Sequence, residues 1–120
     1  MRLCFALLLT VIAGVAQPAL ARPVSLVCKI ADMELIFLFD NTSLNQRSWV
    51  HATLIGNHGT VDVWMLAGTS ALSFVEPLPT GVVQTTTVDL ATGEAIHSRH
   101  TLIFEDFVPS QRVGRCERRE

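Results

Sequence analysis

Four histidines, His51, His58, His97 and His100, are the side chains of this chain best placed for chemistry near neutral pH, where an imidazole titrates and its neutral form can ligate zinc. Their spacing does not favour a metal site. His97 and His100 are three residues apart, so on a regular strand they face opposite sides of a sheet. No metal and no other cofactor is expected. Within His97-Ser98-Arg99-His100 an always-charged guanidinium lies between two imidazoles, an arrangement that suits an anion or an acidic partner and equally suits a solvent-facing strand. Trp49 and Trp64 are expected chiefly as core anchors, with a contact surface as the alternative. His97, Arg99, His100, Trp49 and Trp64 together make up the candidate interaction surface.

Covalent catalysis needs more than the presence of Ser, His and Asp. Gly68-Thr69-Ser70-Ala71-Leu72 lacks the second glycine of a nucleophile elbow and reads as a turn. Asp62, Asp89, Glu105 and Asp106 carry no sign of the paired carboxylates of a glycosidase, and Glu105-Asp106 reads as an exposed bend. No catalytic residue is assigned, and an enzyme is not expected. Asn41-Thr42-Ser43 matches an N-glycosylation pattern and is treated as a polar loop.

The elements that must position these side chains begin after a leader. Arg2, the apolar run Leu3 to Ala16, Pro18, and the small residues Ala19 and Ala21 have the three-part form of a secretory signal. Cleavage is expected after Ala21. The apolar run is shorter than the roughly 20 residues a membrane span requires, so the mean hydropathy of +0.39 owes much to a removable segment. No stable membrane span is expected after signal removal. Residues 22–120 keep 8 basic and 11 acidic side chains, a formal charge of −3. Their arginines at 112, 115, 118 and 119 alternate with Glu117 and Glu120, so a nucleic acid partner is not expected. Of the three cysteines, Cys4 leaves with the leader, while Cys28 and Cys116 remain as an even pair fit for a disulfide in an oxidising compartment, periplasmic or secreted.

The remainder reads as strands and turns. Val24, Leu26, Cys28 and Ile30 fall on alternate positions, which predicts a strand with one buried face and Cys28 facing inward. Leu35 to Phe39 is a continuous apolar run, expected as a strand covered on both faces, and the Ser43 to Gln46 spacing predicts a capped helical turn. Ser48 to Ile55 and Thr60 to Leu66 flank Gly56-Asn57-His58-Gly59, a hairpin signal. Ala71 to Glu76 ends at Pro77 and Pro79. Val82 to Leu90 and Glu94 to Phe104 flank Ala91-Thr92-Gly93, the clearest hairpin, with Ile96, Leu102 and Phe104 read as the apolar face. A short extended piece over Val113 to Cys116 completes an all-β meander of about 7–8 strands, a barrel or a sandwich, with residues 22–120 as one domain.

The segment from Thr85 to His100, with Asp89-Leu90-Ala91-Thr92-Gly93 at its turn, followed by Pro109 to Cys116, resembles small exported proteins of unknown function from alphaproteobacteria. That resemblance covers about the last third of the chain and implies an envelope location without an activity. A signal peptide, two cysteines and an all-β body are also loosely similar to the periplasmic C-type lysozyme inhibitors, although their Ser-Gly-x-x-Tyr pattern is missing and the chain has no tyrosine. The function expected is a non-catalytic module that binds a protein or cell-wall component, with a small-ligand carrier as the first alternative.

Overall fold

The computed structural model describes residues 20–120, together with Gly14. The expected leader, Cys4 included, otherwise lies outside the described residues. Eight strands follow one another: β1 (Pro23–Ile30), β2 (Met33–Asp40), β3 (Val50–Gly56), β4 (Gly59–Ala67), β5 (Ala71–Pro77), β6 (Val83–Asp89), β7 (Glu94–Ile103) and β8 (Asp106–Arg119). Each pairs antiparallel with the next and β8 returns to β1, so the meander closes as a barrel rather than opening into a sandwich. Among the described residues no helix is long and apolar enough to cross a membrane.

Period-two patterning decides what fills the barrel, because successive side chains on a strand point to opposite faces. On β1 the inward set is Val24, Leu26, Cys28 and Ile30, all buried. On β2 the apolar run also obeys the alternation, with Leu35, Phe37 and Phe39 buried while Ile36 and Leu38 stay half-exposed outside. The expected double cover is absent because a closed single sheet has only one interior. Phe37 stacks on Phe74 with ring centroids 3.8 Å apart, and Met65, Leu72 and Val63 pack beside them. Each such side chain contributes about 1.5 to 3 kcal/mol on burial. An eight-stranded barrel is just wide enough for side chains to fill, and this one is filled.

The helical turn after β2 spans Asn41–Asn45 and is 3-10 in form. Its cap differs from the expected Ser43 box. The carboxylate of Asp40 accepts from the Thr42 N–H at 3.3 Å, while Ser43 is buried and its carbonyl accepts from the Gln46 N–H.

Closure depends on the β1–β8 seam. Cys28 and Cys116 are register partners and are disulfide-bonded, 88 residues apart in sequence. Near the foot of the seam, Gly114 faces Ile30, and a Cβ on Gly114 would lie 2.2 Å from the Lys29 carbonyl oxygen. Only glycine lets the two backbones approach so closely.

The last strand is much longer than the short piece expected over Val113 to Cys116. It runs for 14 residues and pairs with all of β7, from Glu94↔Arg115 to Ile103↔Asp106. The turn between them is Phe104-Glu105, with φ of 49° and 71°, the positive pair that a two-residue type I′ hairpin demands. β6 leaves β7 after Gln84↔Arg99, and β1 leaves β8 after Ile30↔Gly114. Residues 100–109 therefore extend past the barrel wall as a two-stranded arm.

Candidate functional site

The hairpin end of the barrel brings together the polar side chains that face inward. β5 contributes Glu76, β6 contributes Gln84 and Thr86, and β7 contributes His97 and Arg99. Opposite them stand Met33 and Leu35 of β2, Leu54 of β3 and Val61 of β4, around a mouth of about 290 Å³. Beneath it, against Phe37 and Phe74, only about 10 Å³ is left, so the mouth is shallow.

His97 is 7% exposed, and both ring nitrogens are engaged. Nδ1 lies 2.9 Å from the Thr86 hydroxyl and Nε2 lies 3.1 Å from the Gln84 side-chain carbonyl oxygen. A neutral ring satisfies both at once, with Nε2–H donating to Gln84 and Nδ1 accepting from Thr86. Burial, reinforced by the charges of Arg99 and Arg112, pushes its pKa below the ordinary imidazole value. Glu76 moves the other way: burial raises its carboxyl, and Arg99 offsets part of that rise. Arg99 itself is exposed, and the three ion pairs among the described residues use other arginines: Arg112 with Asp32, Arg118 with Glu120 and Arg119 with Glu117.

Of the five candidate residues, three lie on β7 where it enters the arm, but they do not share a face. His97 points into the barrel and is an interior residue, not a surface one. Arg99 lines the mouth, and His100 is exposed on the other side of the strand. The two tryptophans are not core anchors. Trp49 is 50% and Trp64 41% exposed. They form with Val75 an open apolar shelf on the outer wall, where the His51 ring packs 4.0 Å from the Trp64 ring. Trp64 sits on β4, across the ring of strands from β8, so the shelf and the arm are on opposite sides of the molecule. Among the described residues, no three His, Cys, Asp or Glu side chains converge as metal ligands would.

The arm carries a surface that the sequence reading missed. Leu102, Ile103, Phe104, Phe107 and Val108 are all exposed, Phe104 to 96% and Phe107 to 72%. Five large apolar side chains gather at the end of one hairpin, Leu102 and Phe107 on one face and Ile103 and Val108 on the other, exposure of a kind that marks interaction surfaces. The available signal was the run Leu102-Ile103-Phe104 meeting Phe107-Val108 across two acids. Such a run is apolar on both faces of a hairpin and so cannot have one buried side. Comparison with protein-family models, with curated proteins and with solved structures finds no match for this chain.

Proposed function

We propose that this chain is a non-catalytic binding module of the bacterial envelope, exported by its amino-terminal leader, which engages a protein or cell-wall component through the hairpin end of its barrel. The observation that carries this reading is the arm, with Leu102, Ile103, Phe104, Phe107 and Val108 held in solvent beyond a well-filled barrel. A small domain gains nothing for its own core from side chains placed there. The disulfide supports an oxidising location, and the acidic charge balance argues against nucleic acid.

The test is capture from periplasmic extract by the tagged protein and by an F104S/F107S double variant. Because both side chains are exposed, the variant folds normally and loses its partner. Equal recovery by both proteins would refute the assignment of the arm.

A carrier of small apolar ligands is the second reading, supported by the apolar wall of the mouth. The packed centre restricts such a ligand to the rim. Native mass spectrometry of freshly purified protein tests it, with a co-purifying ligand as the favourable outcome.

A further inference from the structure

We infer that the free edge of β7 takes up an extended apolar peptide segment of a partner as an additional strand, with a carboxylate of that segment held by Arg99. This rests on the reading of the hairpin end as the binding surface and names the partner's chemistry there.

The backbone supplies the first observation. Among the described residues, β7 has β6 as a neighbour only up to Gln84↔Arg99, and β8 is its sole partner from His100 to Ile103. The chain ahead of β6 does not fill the gap, because it closes on itself: the Leu78 N–H donates to the Val82 carbonyl at 2.8 Å, and the Gly81 N–H to the Leu78 carbonyl at 2.9 Å. In an antiparallel ladder, alternate residues direct both their N–H and C=O to the same neighbour. Two of the four residues 100–103 therefore present both groups to the open side, the form of edge that recruits another strand.

The second observation is space beside that edge. A groove of about 280 Å³ runs between Leu78, Pro79 and Val82 on one side and Arg99, Thr101 and Leu102 on the other. Four strand residues span about 13 Å, so the occupant is a short segment, apolar at alternate positions where its side chains meet Leu78, Val82 and Leu102. The opposite edge of the arm is a poorer template. β8 carries Pro109 there, and a proline is tolerated in a ladder where its missing N–H faces away from the paired strand.

Charge is the third. Arg99 stands at the inner end of the groove with no ion pair among the described residues. A guanidinium so placed binds a carboxylate by donating two parallel hydrogen bonds to it, and an acidic side chain or a free C-terminus provides such a carboxylate.

The experiment uses acetylated hexapeptides alternating valine and threonine, added to the ¹⁵N-labelled oxidised protein. Three forms are compared: free C-terminal carboxylate, C-terminal amide, and backbone N-methylated at alternate residues. Amide shifts should concentrate at residues 78–82 and 99–103. N-methylation should weaken binding about tenfold or more, and amidation or the R99Q variant several-fold. Absence of shifts at millimolar peptide, shifts centred on 106–113 or on the Trp49–Trp64 shelf, or indifference to N-methylation would each overturn the proposal, as would carboxylate and amide binding equally. If peptide binding fails while F104S/F107S still loses its captured partner, the hairpin-end reading survives and strand addition does not.

Discussion

Removing the disulfide by C28A/C116A should lower stability by an amount that follows from where the bond lies in the chain. The two cysteines are 88 residues apart, and closing a loop of that length in the unfolded chain removes entropy worth about 4.6 kcal/mol at 25 °C on the chain-entropy account. Cys28 is fully buried, so the lost sulfur adds a packing cost of ~1 kcal/mol. Net stabilities of small domains are about 5 to 15 kcal/mol, so the effect is a large share of the whole. The seam nevertheless has six register pairs, from Ser25↔Arg119 to Ile30↔Gly114, that do not need the bond. The variant should therefore keep a β-sheet circular dichroism spectrum in buffer and unfold early in urea. With a slope of about 1.5 kcal/mol per M for a domain of this size, the midpoint falls by roughly 3.7 M. Circular dichroism is the better probe, because Trp49 and Trp64 are already 50% and 41% exposed in the folded state and their emission has less to gain. A midpoint shift below about 1 M would refute the account, because it would mean that the unfolded chain is not restrained by the loop as calculated.

Three other outcomes follow. G114A places a methyl 2.2 Å from the Lys29 carbonyl oxygen and 2.7 Å from the Ile30 Cα; since backbone must move, a loss of about 3 kcal/mol is expected in urea unfolding, and a change within about 0.5 kcal/mol would contradict the described seam. His97, held below its ordinary value of 6.5, refuses in the folded barrel a proton that the unfolded chain accepts. Stability should therefore fall as pH drops through the window just under 6.5 and level off below the folded value. H97Q should abolish that slope, and parallel pH profiles for the two proteins would count against it. Glu76, raised above 4.5, works in the opposite sense: folding gains as pH falls through its raised value, and the gain is complete below 4.5. E76Q should remove this acid-side gain in the same pH series.

Most strands were legible because their inward residues are apolar at every second position. β1, with Val24, Leu26, Cys28 and Ile30, and β5, with Leu72 and Phe74, are of this kind, and all six are buried. The reading inverted where the interior is polar. On β7 the inward pair is Ala95 and His97 while Ile96 is 45% exposed, so ranking positions by hydrophobicity chose the wrong face. Nothing local in His97 announces that Thr86 and Gln84 will satisfy it. Those partners come from the neighbouring strand, 11 and 13 residues away. The length of β8 is not legible because Glu105-Asp106 reads as an exposed bend, whereas beyond the barrel wall the strand has, among the described residues, one neighbour and one free edge. Trp49 and Trp64 were expected inside on size alone, but the stacked phenylalanines already occupy the centre.

Because the last strand completes the ring begun by the first, barrel closure is among the most non-local contacts the chain can make. Ile30 must wait for Gly114, which at about 5 to 20 residues per second of synthesis is a delay on the order of ten seconds. During that time β1 offers one unsatisfied edge and one unmatched thiol to any neighbouring molecule. A topology of this kind folds slowly for its size, and its yield in a cell depends on how well that interval is shielded.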